Sequence, residues 1–418
     1  MSCSPRFTTL AALGFALAGC FPSIVVGETP SDTAGATMDG TTAPTTDTAA
    51  DNPPTTGPAV CGDGIIDTSE ACDDGNDEPN DGCDNACGRS GRVEWTVEPA
   101  GLRGVSDLAI DGLGRTILAG FAGNDSFVVA LAADGTELWR TPVEQIDRLD
   151  VHQDGRIFLG AHEGAIVCLA ATGTELWSFQ PTIPEELFDR VAGLAVHGDA
   201  LYSATVESGD SLPGWRLVVR KHRLDTGAAL WETRPADELS ISAEALVALD
   251  DRVVVVGRTL DGQSLLLALD HDGVLLSTRL GGGSRPRTVA APIGGDDLVL
   301  AGFGPDHDLM VQRRGSEFDE IWGVIGDPDD AIADVATDSH QHIALAGFRL
   351  EDVRTSMVRM YDGSGLQLWT STLTDSVDDV DDVAAAAGIG PDFLVVAGAA
   401  KASTGTHARL WIRRFALD

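Results

Sequence analysis

The chain has 418 residues, with 65 acidic and 28 basic side chains and a formal charge of −37. That balance excludes nucleic-acid binding, which needs a cationic face for phosphates, and a hydrophobic content of 43% excludes global disorder. Abundant glycine (48) with only 6% aromatic residues points to many tight turns between short strands.

Residues 1–19 read as an export signal: one cation, Arg6, precedes an apolar stretch over 7–17 that is too short to span a bilayer. The tetrapeptide Leu17-Ala18-Gly19-Cys20 resembles the bacterial lipobox. That resemblance implies that Cys20 carries acyl chains (palmitate-type) and becomes the mature N-terminus; several chains on one residue make a durable anchor. Phe21, rather than Asp, follows Cys20, which by the same resemblance implies the outer membrane. Residues 20–60 are rich in Thr, Pro, Ala and Asp without periodicity and read as a tether reaching on the order of 35 Å.

Residues 61–88 hold Cys61, Cys72, Cys83 and Cys87. Behind an export signal this cluster reads as two disulfides, and spacing leaves three connectivities open. The CGDG, E-x-CDDGN and DGC-x-x-x-C elements closely resemble the Myxococcus cysteine-rich repeat (DUF4215). Nine carboxylates fall in this stretch with no Lys or Arg between Arg6 and Arg89. Ca²⁺ is the cofactor such oxygens suit, with Asp63, Asp73, Asp74, Asn76 and Asp81 as candidate ligands. Turn formation by the Asp-Gly and Asn-Asp pairs is the competing account.

From residue 89 to 418 one pattern recurs: a small polar residue, Gly, three further residues, then Trp. Copies end at Trp95, Trp139, Trp177, Trp231 and Trp369. A degraded copy ending at Trp322 lacks the Gly, and one ending at Ser277 lacks the Trp. Intervals of 38 to 54 residues are those of propeller blades. Leu-Ala-Gly-Phe recurs at 118–121, 300–303 and 345–348, among short apolar runs of strand length. Each unit therefore predicts four strands. The last unit ends on a third strand through Leu410 and Trp411, and an orphan fourth strand around Val93 precedes the first. Pairing the two closes a seven-bladed, all-β propeller with no open edge. The repeats resemble SBBP-type propeller repeats and the PQQ-binding-like repeats of quinoproteins and the barrel-assembly lipoprotein BamB, a likeness that implies architecture and not chemistry.

The propeller carries no Gly-x-Ser-x-Gly elbow, His-Glu-x-x-His or adjacent Cys pair. Cys168, flanked by apolar residues, reads as a small buried hydrophobe. Asp107, Asp334 and Asp382 share an Asp-[Leu/Val]-Ala string, with Arg148, Gly193, Ala245 and Thr288 at equivalent places. The three carboxylates are expected either to form a polar ring in the axial channel or to bond neighbouring backbone. His340 and His342 fall in a turn without further clustered ligands. These features lead to a monomeric, lipid-anchored binding or scaffolding protein of the cell envelope. Its partners would be the membrane and envelope proteins or glycans. The alternatives are an enzyme (hydrolase, lyase or oxidoreductase) with its site at the channel, or a BamB-like assembly factor.

Overall fold

The computed structural model describes residues 61–67, 70–76, 80–84 and 86–417, less 183–186, 210–213, 236–239, 283, 292–295, 305–307, 328, 351–353, 374–379 and 403–407, together with the backbone of Phe21–Pro22. The expected export signal, Cys20 and nearly all of the tether lie outside these residues.

Seven antiparallel sheets of four strands follow one another along the chain. Blade one contains Gly104–Ile110, Thr116–Ala122, Asp125–Leu131 and Glu137–Val143, from the inner strand outwards. Blades two to six span residues 146–179, 187–233, 241–281, 285–325 and 330–373. The sixth gains a two-residue parallel addition, Phe21–Pro22, on its inner strand. Blade seven comes from both ends: Val380–Ile389, Phe393–Ala402 and Ala408–Ala416 are joined by Val93–Val97 as the outer strand. Val93 pairs with Phe415 and Val97 with Ile412, so the ring closes as the repeat count predicts.

The core lies between sheets. Ile117, Val128 and Ala130 of blade one pack on Leu149, Val151 and Leu159 of blade two, and Val358 and Met360 of blade six pack on Leu394 and Val396 of blade seven. Alternation along each strand feeds both neighbouring cores, so most blade strands read as continuous apolar runs.

Two glycine signatures have steric causes. Every inner strand skips one residue of its ladder, for example between Pro286 and Thr288 and between Ile332 and Asp334. This bulge pushes a carbonyl towards the second strand. A Cβ on Gly302 would lie 2.2 Å from the Arg285 oxygen, and one on Gly347 2.0 Å from the Ala331 oxygen; the Gly of Leu-Ala-Gly-Phe is the only residue that fits. The second signature is the turn Gly of the Trp motif. Gly135, Gly173, Gly227, Gly273 and Gly365 have positive φ; a Cβ on the last four would collide with Trp139, Trp177, Trp231 or Trp322 of the preceding blade, and one on Gly135 would meet Val97 at 2.8 Å with Trp95 beside it at 3.3 Å. Those indole N–H groups donate to turn carbonyls of the next blade at 2.9–3.1 Å.

Candidate functional site

Two places gather most of the polar residues singled out in the sequence, the inner strands around the axis and the cysteine module. His340 and His342 lie apart, in the first turn of blade six, where Asp338 joins them as a ligand-bearing neighbour the sequence reading did not include.

On the inner strands, the position just past the bulge holds Asp107, Arg148, Gly193, Ala245, Thr288, Asp334 and, in blade seven, Ala386. Asp382 therefore does not share this register, contrary to the expectation. It stands four residues earlier, level with Asp189 and Asp330, because the string Val380-Asp381-Asp382-Val383-Ala384 can be aligned two ways and the bulge selects the other one. The Asp382 carboxylate accepts from Ser356 Oγ at 2.8 Å and Trp411 Nε1 at 2.7 Å.

Asp107 and Asp334 join blades. Asp107 accepts from its neighbour's amide, Leu108, and from Leu149 N–H of blade two at 2.7 Å. Asp334 accepts from Val335 N–H, from Thr288 Oγ1 and from Ala387 N–H of blade seven. Asp150, which the sequence reading passed over, does the same two residues further along: it accepts from Val151 N–H and from Val196 N–H of blade three at 2.6 Å. Burial drives Asp107 up to about 7 against the nearby Arg148 charge and these N–H bonds, and drives Asp150 up to about 8. Arg148 donates to the Glu244 carbonyl two blades away at 2.9 Å, so its guanidinium reaches past blade three to blade four. Of the two roles expected for the inner-strand carboxylates, backbone bonding accounts for Asp107 and Asp334.

Cys168 is fully buried beside Phe158 and Ile166. Burial pushes its thiol up to about 12, far from the thiolate a nucleophile needs.

In the module, Cys61 pairs with Cys87 and Cys72 with Cys83, a nested connectivity. Asp73 accepts four backbone N–H bonds, from Gly62, Asp63, Gly64 and Gly75. Burial raises its carboxyl, but the four bonds outweigh this and hold it below the ordinary value. Asp63 accepts from Ile65 N–H at 2.9 Å. Asp74, Asn76 and Asp81 form a separate group: Asn76 Nδ2 donates to Asp81 at 3.1 Å, and hydrogen bonding to Asp81, with burial and its charge, pushes Asp74 up. The five expected calcium ligands thus divide into a turn-building pair and a converging trio.

The module rests on the ring closure. Its Asn80 and Gly82 carbonyls accept from Val93 and Ser90 N–H, and a cavity of about 420 Å³ between it and the propeller is lined by Asp73, Asp81, Arg89, His342 and Leu368 among others.

Comparison with known proteins agrees with this organisation. Residues 59–88 match the family described as "Domain of unknown function (DUF4215)". Residues 124–207 and 162–320 match the family described as "Outer membrane protein assembly factor BamB". No curated protein sequence matches the chain. Among solved structures, a chain of "Crystal Structure of Mitotic Checkpoint Complex" is similar at 13% identity, with a TM-score of 0.56, over 84% of this chain and 96% of that one. "Structure of U3-55K" is similar at 16% identity, with a TM-score of 0.52, over 76% and 97%. At such identities the likeness concerns the fold alone.

Proposed function

We propose that this chain is an exported, lipid-anchored protein that presents its propeller as a binding or scaffolding ring at the cell envelope. One contrast carries the reading. The inner-strand carboxylates Asp107, Asp150 and Asp334 are spent on joining blades, whereas the outer strands leave aliphatic side chains in solvent. The residue before the Trp position is Leu138, Leu176, Leu230, Leu276 or Ile321, each 49–54% exposed. In blade six the same place is Leu368, which is partly buried and faces the cysteine module across a shared cavity. The molecule thus already uses one of these positions for docking, and exposed apolar positions repeated around a rim suit further contacts.

Two nested disulfides support an oxidising compartment, and Cys20 would supply the anchor. Calcium belongs to this reading at Asp74, Asn76 and Asp81, where a hard cation would relieve the facing carboxylates.

The test is made in a bacterium producing the full chain. The wild type should fractionate with membranes, and Cys20→Ser should move it to the soluble fraction. A photo-crosslinker at Leu176, Leu230 or Ile321 should give a discrete adduct, and the module should resist protease better with calcium than with chelator. A wild type that is soluble, or crosslinkers that capture nothing, would sink the anchored-binder reading. The BamB family match is compatible with a narrower version, in which the adduct contains an outer-membrane barrel assembly component, without favouring it over the general one.

A further inference from the structure

The turn joining the first two strands of blade six is built like that of blade one, yet carries different side chains. In blade one, Asp111 Oδ1 accepts from the N–H groups of Leu113 and Arg115, both at 2.9 Å, and Oδ2 accepts from Arg115 Nε at 2.7 Å. In blade six, Asp338 Oδ1 accepts from the N–H groups of His340 at 2.9 Å and His342 at 2.8 Å. Its Oδ2 lies 2.8 Å from His342 Nδ1 and 3.8 Å from His340 Nδ1. Two imidazoles stand where blade one has an exposed leucine and an arginine.

We propose that Asp338, His340 and His342 form a binding site for a borderline divalent metal ion of the zinc class. One ligand atom from each side chain falls within 4.8 Å of the other two. Tetrahedral bonds of about 2.0–2.1 Å place ligand atoms roughly 3.3 Å apart, and the carboxylate–imidazole separations of 2.8 and 3.8 Å bracket that value. The turn is held by backbone bonds, Gln341 N–H to the Asp338 carbonyl and Asp338 N–H to the His342 carbonyl, and by Oδ1 of the carboxylate, so Oδ2 can bind a metal without unmaking the turn. The bonds on Oδ1 fix the carboxylate plane, as outer-shell partners do in metal sites. Two imidazoles with one carboxylate select zinc, cobalt, nickel or copper over calcium and magnesium, which take oxygen ligands. The remaining coordination positions are left for water or for a group from outside.

Replacing arginine by histidine also costs a contact. Arg115 Nη1 donates to the Ala171 carbonyl of the following blade at 3.0 Å, and Arg156 of blade two bonds the Leu224 carbonyl in the same way. The shorter His342 instead lines the cavity beneath the cysteine module. His340 is 65% exposed and Asp338 only 2%, so the site is anchored on one side and reachable from the other.

The experiment uses the purified full chain and Zn²⁺ alone, titrated by calorimetry after chelator treatment, with Co²⁺ absorbance as a second readout. The wild type should bind one zinc ion with micromolar or tighter affinity. His342→Arg restores the arginine–aspartate pair of blade one, and should keep the melting temperature while losing this binding. His340→Ala, at an exposed position, should weaken it at least tenfold. A wild type that takes up no zinc overturns the proposal. So does undiminished binding in both variants, which would place the metal elsewhere.

Discussion

His222 is a fully buried imidazole in the third strand of blade three. Its Nδ1 faces the Gly227 carbonyl at 3.1 Å, which can only accept, so Nδ1 carries the proton and Nε2, 3.0 Å from Ser203 Oγ, accepts from that hydroxyl. Burial lowers its pKa to about 4. A depressed pKa on a base means that the folded protein refuses a proton the unfolded chain takes up between about 4 and 6.5. Its stability contribution is whole above pH 6.5 and is lost as pH falls towards 4. At pH 5 the wild type therefore bears a penalty of about 2 kcal/mol at this site. His222→Gln cannot titrate, so its destabilisation by urea unfolding should be smaller at pH 5 than at pH 7 by about that amount. Equal destabilisation at both pH values would show that His222 is not held neutral. Asp107 and Asp150, with raised values, act in the opposite sense, so only the difference between variant and wild type isolates the histidine. At this scale the sequence was partly legible. The register of Asp107 and Asp334 follows from their spacing to Leu-Ala-Gly-Phe. Asp382 was misplaced because runs of Asp, Val and Ala fit two alignments, and Asp150 gave no signal because a lone aspartate between leucine and valine resembles any strand end.

At the scale of the element, the two degraded copies of the Trp motif explain each other. Blade four has Ser277 where its neighbours have Trp, leaving no indole to lie on the next turn. In blade five, that turn carries Phe318 where the others carry Gly, at φ 62°. Phe318 is 2% exposed and packs with Leu249, Val256 and Leu266 of blade four, and Arg252 of blade four stands over its ring. The ring missing from one blade is thus supplied by the next. Phe318→Gly should cost about 2–4 kcal/mol, the range for emptying a buried aromatic site less the strain it relieves. Ser277→Trp alone should not stabilise, since Phe318 occupies the space an indole would need. The double substitution recreates the arrangement of Trp231 over Gly273 and should recover at least half of the loss. A double-mutant cycle by urea unfolding measures this coupling, and additive effects within about 0.5 kcal/mol would refute the exchange. Sequence periodicity found both positions as defects. That they compensate was out of reach, because it depends on which blade faces which turn.

For the whole molecule, the decisive contact is the one that makes a ring of an open stack. Val93–Val97 pairs with Ala408–Ala416, Trp95 Nε1 reaches the Ala133 carbonyl of blade one, and Trp369 of blade six stacks on Phe415 over Gly91. The repeat count made this closure legible, since a final unit lacking its fourth strand and a leading strand lacking its unit admit one solution. The cysteine module's place was not legible, because its only tie in sequence is the short link to Arg89. The fold puts it over the closing strand, whose outer edge would otherwise offer free backbone groups; the Asn80 and Gly82 carbonyls take the Val93 and Ser90 N–H groups there. Module and closing strand should therefore separate in a truncation series. A chain beginning at residue 89 keeps the closing strand and loses only its cover, so its melting temperature should drop by a few degrees while it remains a monomer. A chain beginning at residue 98 loses the strand and Trp95, exposing the edge of Ala408–Ala416. Its melting temperature should fall further, on the order of 10 °C below the first, and it should associate through the bared edge in size-exclusion chromatography. Two truncations that melt together as monomers would mean that three strands suffice for blade seven, and that the ring does not depend on its join.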